Sequence, residues 1–287
     1  MAVLSIQSHV VYGYAGNTAA VFPLQRLGRE VWAVNTVEFS NHTGYGSFRG
    51  RILGAELVEE LVSGIEERKV LKSCEAVLSG YLGDASVGKA IIKAVKKVKK
   101  ENPNALYCCD PVMGDSGRGI YVKPDIPDMF KNELVPLADI VCPNQFEIEI
   151  LTGVNIKNTV DALKAAAILH EMGPSVVLLT SFREKAGELG MIASLRETSY
   201  KTITPELPLG DGVAGTGDMT AAVFLSRYLD SFDLEKTLNQ TTGSVYGILE
   251  ASYNMSLKEN IPLELKIIDA QEQFISPSRD FKAVKIL

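Results

Sequence analysis

From residue 3 to residue 180 the chain alternates β-type runs with helix-spaced runs, and this alternation restricts the fold more than any other feature. Residues 3–8 read as a strand, and the helix after it carries Ala19, Val21, Leu24 and Leu27 and ends near Gly28. Residues 30–36 read as a second strand. Leu57, Val58, Leu61, Val62 and Ile65 then repeat at helical spacing, with Glu59 and Glu60 on the other side. A strand at 75–79, a lysine-rich helix and strands at 106–109 and 139–142 follow, the last two closed by Asp110-Pro111 and Pro143-Asn144. A helix at 160–172 and a strand at 175–180 complete the series. Parallel strands need a crossover between them, so this order predicts a mostly parallel sheet with helices on both faces.

The pattern changes near residue 187. Residues 187–207 read as two antiparallel strands added at one edge of the sheet. The remainder reads as helical at 217–230 and 234–252, and with weaker periodicity at 263–274. No repeat, low-complexity tract or Pro/Gly/Ser-rich linker interrupts the chain, and 46% of its residues are apolar, enough for one large core. The expectation is a single α/β domain over 1–287, a three-layer sandwich with an antiparallel edge addition.

Charge narrows the function. Against 35 acidic residues stand 29 basic ones, a net of -6, which argues against a nucleic-acid partner. The lysines at 96, 97, 99 and 100 read as the solvated face of a helix whose apolar side is Ile91, Ile92, Val95 and Val98. The start, Met-Ala-Val-Leu-Ser-Ile-Gln, has no basic secretory n-region, and no apolar run approaches the roughly 20 residues that span a bilayer. A cytoplasmic location without membrane attachment is expected. Cys74, Cys108, Cys109 and Cys142 form no Cys-x-x-Cys pair and read as buried reduced thiols, not a zinc site.

In an open parallel sheet, ligands bind at the carboxyl ends of the strands, and two glycine loops compete for a phosphate. Gly83-Asp-Ala-Ser-Val-Gly88-Lys89-Ala90 has the frame of a P-loop, but Ala90 stands where a hydroxyl would hold Mg²⁺. A plain strand-to-helix turn with a solvent-facing lysine is its simpler reading. Ala214-Gly215-Thr216-Gly217-Asp218-Met219 precedes a good helix former, and backbone N–H groups at a helix start make an anion site. In a kinase such donors would stabilise the charge on a transferring phosphoryl group. Asp218 beside them reads two ways, as a base for an attacking hydroxyl or as an N-cap.

The runs Gln7-Ser-His-Val-Val-Tyr-Gly-Tyr-Ala-Gly-Asn17, Phe39-Ser-Asn-His-Thr-Gly-Tyr-Gly46, Cys109-Asp-Pro-Val-Met-Gly-Asp115 and Cys142-Pro-Asn-Gln-Phe-Glu147 come in order before the Gly215 loop. Together they resemble the pyridoxal kinase family of the ribokinase-like superfamily, from about residue 3 to 225. The first two runs are specific to pyridoxal kinases. The Asp-Pro-Val run and the Gly215 loop are shared across the superfamily.

The resemblance implies a ribokinase-like fold and ATP-dependent phosphorylation of the 5′-hydroxymethyl group of pyridoxal, with pyridoxine and pyridoxamine as further candidates. Asp218 would be the base, and Gly215, Thr216 and Gly217 the anion hole. Ser8, Thr43 and Gly44 match residues around the pyridine ring, and Tyr81 an aromatic lining the same pocket. Asp110 and Glu147 match acidic residues near the ATP phosphates and Mg²⁺, acting directly or through water. Asn144 belongs to that network, and Thr180, Gly215 and Gly217 match nucleotide contacts. Asp115 and Tyr121 match a segment covering ATP. A homodimer is expected, with a B6 vitamer and ATP as small-molecule partners, and other divalent or monovalent cations as alternatives to Mg²⁺.

Simpler readings stand beside these. Ser8 has a simpler alternative as a strand-end cap, Tyr81 as core packing and Asp110 as a turn former, none of them preferred over the matched role; His9 and His42 read as structural or as proton shuttles, and His170 as structural. Thr180 stands where some bacterial members carry lysine, and Cys142 where Thr or Ala is common, at a monovalent-cation site. The stretch 204–213 aligns least, so no nucleotide contacts are assigned to it. The rival functions are a hydroxymethylpyrimidine or related heteroaromatic-alcohol kinase, a vitamer-binding protein without catalysis, and an NTPase built on Lys89.

Overall fold

The computed structural model describes residues 2–210 and 213–287. The chain runs β1 (Ala2–Tyr12), α1 (Asn17–Arg26), β2 (Glu30–Asn41), β3 (Gly50–Ile52), α2 (Gly54–Glu67), β4 (Cys74–Ser79), α3 (Ala85–Glu101) and β5 (Leu106–Cys109). A small hairpin, β6 (Gly114–Asp115) and β7 (Gly119–Ile120), precedes α4 (Ile126–Met129), which passes through one π-helical turn, Phe130–Leu134, into α5 (Val135–Leu137). Then come β8 (Ile140–Val141), α6 (Gln145–Thr152), α7 (Thr159–Met172), β9 (Val176–Phe182), β10 (Glu188–Leu195) and β11 (Thr198–Pro205). The chain closes with α8 (Thr216–Ser231), α9 (Leu234–Glu259), α10 (Glu272–Ile275) and β12 (Val284–Lys285).

Ten strands form one sheet in the order β12-β11-β10-β9-β8-β5-β4-β1-β2-β3. The centre, β9 through β2, is parallel, as the βα alternation predicts. The expected antiparallel pair, β10 and β11, extends one edge, and β12 adds to it. The other edge is antiparallel as well, because β3 pairs with β2.

Side chains alternate across the central strands with period two, and each face meets its own helices. Leu4, Ile6, Val77, Tyr107, Cys109, Val177 and Leu179 pack against α2, α3, α6 and α7. Val3, Ala76, Leu78, Cys108, Val176 and Leu178 pack against α1, α8 and the start of α9. A sheet buried on both faces explains why these strands read as continuous apolar runs. The lysine face of α3 is solvated and paired, with Lys97 at 2.6 Å from Glu66 and Lys99 at 2.6 Å from Asp139.

Two expectations need correction. Strands β1 and β2 run past residues 8 and 36, because they continue to pair beyond a bulge between Gln7 and His9 as far as Tyr12 and Asn41. The helix expected at 263–274 is only Glu272–Ile275. Leu265 and Ile267 ahead of it are buried from an irregular segment, which mimics part of a helical pattern without forming one.

Candidate active site

Residues at the ends of the parallel strands meet because the ladder continues past the ends of β4, β5 and β8. Asp110 N–H donates to Ser79 O at 2.9 Å, Cys142 N–H to Cys109 O at 2.9 Å, and Thr180 N–H to Pro143 O at 2.9 Å. Asp110, Asn144 and Thr180 therefore stand in a row along the carboxyl edge, where the switch-point rule expects a ligand.

The loop before α8 faces this row. Gly215, in the left-handed region at φ 80, is the N-cap of α8 and supplies no side-chain cap. Asp218 lies inside the first turn, so the N-cap alternative is corrected: its Oδ2 accepts the Gly16 N–H across the site at 2.8 Å. Only glycine serves at 16, because its φ is 58 and a Cβ would fall 2.1 Å from Ser8 O. Ser8 is buried, with its Oγ also facing Gly16. Thr216 turns both its N–H and its Oγ1 onto Val213 O, at 3.3 and 2.8 Å. Among the described residues Gly217 N–H has no acceptor, and Gly217 is exposed.

Three carboxyl groups converge. Asp110 and Glu147 are buried, and Asp218 is partly exposed. A Cβ placed on Gly217 would lie 3.9 Å from Asp110 Oδ2, and that oxygen has no hydrogen-bond partner among the described residues. Burial, then the charges of Glu147 and Asp218, push the Asp110 carboxyl well above the usual carboxylate range. Glu147 is pushed up to about 8 by burial, against the pull of the Asn144, Met113 and Gly114 N–H groups. Burial also raises Asp218, opposed by the Gly16 N–H. Like charges this poorly compensated call for a proton or a cation between them.

Hard oxygen donors suit Mg²⁺, which keeps several waters and takes oxygens from substrate phosphates. Asp110 Oδ2 is free to ligate. Glu147 is not equally free: Oε1 accepts Met113 N–H and Oε2 accepts Asn144 N–H, each at 2.9 Å, the latter closing a capping box with the Asn144 side chain at the start of α6. Glu147 therefore fits a role through water. Among the described residues no set of three His, Cys, Asp or Glu side chains forms a metal site by itself.

The remaining predicted residues lie around this centre. Asn144 Nδ2 donates to Gly114 O at 2.9 Å, which ties α6 to the β6–β7 hairpin carrying Asp115. Thr43 and Gly44 sit in an exposed turn after β2, next to Arg118 rather than beside the carboxylates. Arg118 pairs with Asp115 at 2.6 Å and lies over the Tyr121 ring, so the turn and the hairpin touch above the site. Tyr81 packs against Val10, Ala15, Val37 and Phe39. His9 bonds Glu38 at 2.7 Å, His42 accepts Gly44 N–H, and His170 is buried between Pro174 O and Ser194 Oγ. Cys142 Sγ lies 3.7 Å from Cys108 Sγ, and all four cysteines are buried. Asp211 and Gly212, inside the stretch 204–213, lie outside the described residues.

Sequence reading gave no role to Gly16. Its signal was present as a glycine within the Ser8 run, at a strand-to-helix turn. A cavity of about 790 Å³ lies beside α1, between β2 and the segment at 264–269, and of the candidate residues above only His9 lines it.

Known proteins resemble this chain over most of its length. The family model described as phosphomethylpyrimidine kinase matches residues 57–285. The pyridoxal kinase PdxY of Rubrobacter xylanophilus is 51% identical, covering 99% of this chain and 97% of its own. That of Granulibacter bethesdensis is 46% identical, covering 99% of both. The pyridoxal kinase of Leishmania donovani, solved with ADP and pyridoxamine, superposes with a TM-score of 0.92 at 30% identity over 99% of both chains. The chain therefore belongs to the family that the phosphomethylpyrimidine kinase model describes and, by identity over its full length, to the pyridoxal kinases.

Proposed function

We propose that this protein transfers the γ-phosphoryl group of ATP to the 5′-hydroxymethyl group of pyridoxal, giving pyridoxal 5′-phosphate in vitamin B6 salvage, with pyridoxine and pyridoxamine as further acceptors. The observation that carries the reading is the placement of Asp218. Its carboxyl is held by the Gly16 N–H across the site, and the only donor it meets at the start of α8 is its own N–H. A base beside free backbone donors suits an alcohol attacking a phosphoryl group.

In this mechanism Asp218 takes the hydroxyl proton late, as the oxygen bonds to phosphorus, because a primary alcohol is a weak acid and the transition state is loose. The Gly217 N–H and the dipole of α8 stabilise charge on the transferring group, with Gly215 shaping the loop and Thr216 anchoring it to Val213. Ser8, Thr43, Gly44 and Tyr81 are assigned to the acceptor; Asn144 and Thr180 to the nucleotide. Asp110 would hold Mg²⁺, with Glu147 behind a water, and the ion would neutralise the phosphates. The L. donovani enzyme binds ADP with pyridoxamine or with pyridoxine, which supports the vitamer and ATP assignments.

A homodimer is part of this reading. Val11, Tyr12, Tyr45 and Phe48 are exposed near the ends of β1 and β2, with Tyr12 and Tyr45 packed edge to face, and offer apolar surface for it. A cytoplasmic location is proposed as well; no helix among the described residues is long and apolar enough to cross a membrane.

A coupled assay of ADP release with pyridoxal, pyridoxine, pyridoxamine and hydroxymethylpyrimidine tests the proposal. Turnover on the B6 vitamers is expected. Turnover on the pyrimidine alone would replace the reading with the pyrimidine kinase, and no turnover on any alcohol would leave a binding protein.

A further inference from the structure

Behind the site lies a buried chain of polar side chains that a parallel strand covered on both faces would not ordinarily hold. Ser5 and Gln7 of β1 and Asn17 of α1 are almost fully buried. Hydrogen-bond accounting fixes the direction of every member. Asn17 Nδ2 donates to the Val34 carbonyl at 3.1 Å and to Asn35 Oδ1 at 2.8 Å; a backbone carbonyl only accepts, so this atom is the nitrogen. Asn17 Oδ1 must then accept, and it takes the single proton of Ser5 Oγ at 2.7 Å. Ser5 Oγ, its proton spent, can only accept from Gln7, at 3.0 Å. The Gln7 atom facing Ser5 is therefore Nε2, and Oε1 is turned the other way.

What Oε1 faces is Gly80 and, beyond it, the first turn of α8. It has no partner among the described residues. A Cβ on Gly80 would lie 2.6 Å from Gln7 Oε1 and 3.5 Å from Asp218 Oδ1, so both oxygens open onto the space that this glycine leaves. Two acceptors facing one space leave a buried acceptor unsatisfied until a proton comes between them. Asp218 Oδ2 is already engaged by Gly16, so Oδ1 is the oxygen available to carry that proton.

We propose that Gln7 is a positioning residue for phosphoryl transfer: its side-chain oxygen accepts a hydrogen bond from Asp218 Oδ1 once that carboxyl has taken the proton of the acceptor alcohol. This rests on the reading of Asp218 as the base. The step balances. The alcohol O–H bond breaks as its oxygen bonds to the γ-phosphorus, ADP leaves, and the proton moves to Asp218 Oδ1, where it points at Gln7 Oε1. The Asn17–Ser5 chain keeps the amide from rotating to present its N–H groups, which would favour the ionised carboxylate instead. Gly80 keeps the space open.

Steady-state kinetics on pyridoxal and ATP test this with Gln7→Met, Ser5→Ala, the double variant and Asp218→Ala. Methionine keeps the length of glutamine and offers no comparable acceptor. The expected result is a fall in kcat of about tenfold or more for Gln7→Met, with both KM values within about threefold of the parent. Ser5→Ala should lower kcat less, and should add nothing in the Gln7→Met background, because both act through one oxygen. A purely structural role would instead lower the melting temperature and give additive effects. Unchanged kcat in Gln7→Met, a change in KM alone, or additivity of the two substitutions would overturn the proposal. Should Gln7→Met not fold, Ser5→Ala decides alone: reduced kcat at constant KM supports it and parental kcat overturns it. Turnover surviving in Asp218→Ala would remove the base itself; an inactive Asp218→Ala with a fully active Gln7→Met would remove only the role of Gln7.

Discussion

Two glycine loops of this chain introduce helices at the carboxyl side of the sheet, one before α3 and one before α8, and their backbone donors meet different fates. Before α3, Asp84 is the N-cap: its Oδ1 takes Ser86 N–H at 2.9 Å, and its Oδ2 holds Lys123 at 2.7 Å. Lys89, which a P-loop would turn onto phosphate, points to solvent, and Gly88 is tight against Met129, where a Cβ would come within 2.6 Å of Cγ. Before α8 the cap is Gly215, which has no side chain, and the acidic residue of the first turn reaches across to Gly16. A helix start binds an anion only while its donors are not already satisfied by its own side chains. The first loop is closed by its own carboxylate. The second leaves the Gly217 N–H open and places its carboxylate where a proton can be taken.

Substitutions can break this contrast at either loop. The largest effect is expected from Asp218→Asn, which keeps size and removes the base: kcat should fall by about 10²- to 10⁴-fold in a vitamer-saturated assay. Next is Asp110→Asn, which removes a hard ligand on the nucleotide side. Turnover at fixed Mg²⁺ and ATP should fall by about 10- to 100-fold, while the ligand-free protein melts at a higher temperature because a buried carboxyl crowded by Glu147 and Asp218 has been replaced by a neutral amide. Asp84→Ala should cost about 1 kcal/mol in denaturant unfolding, from the lost cap, and leave kcat unchanged. Its carboxyl is held below the usual range by Lys123 and by the Ser86 side chain and N–H, so its contribution is present above the ordinary carboxylate range and fades as pH falls. Lys89→Ala should alter neither kcat nor the KM for ATP.

The parallel centre was legible in the sequence because its strands are buried on both faces, and Ala76 to Leu78 and Val176 to Leu179 show it as unbroken apolar runs. The placement of Asp110 and Asn144 at the carboxyl edge was legible because each follows an apolar strand run, while the roles assigned to them and to Glu147 came from the resemblance to pyridoxal kinases. The edges were not. Strand β3 is three exposed residues with no apolar face of their own, and β6 and β7 are two residues each. Their pairing depends on long-range neighbours and not on local pattern. Asp218 was ambiguous for a related reason: cap and base use the same residue type in the same turn, and only the contact with Gly16, 202 positions away, separates them. Ser5 and Gln7 did leave a mark, two polar residues alternating with Leu4 and Ile6 inside a buried strand. The pattern signals a polar stripe but not the atom that Gln7 turns towards Asp218.

The central claim is that phosphoryl transfer belongs to the loop before α8 and not to the one before α3. It is tested most directly by measuring pyridoxal 5′-phosphate formation by Asp218→Ala and Lys89→Ala side by side, with calorimetric titration of pyridoxal into both. The account predicts that both variants bind pyridoxal, that Lys89→Ala makes product at the parental rate, and that Asp218→Ala makes almost none. Product formation at the parental rate by Asp218→Ala, or its loss in Lys89→Ala, would contradict it.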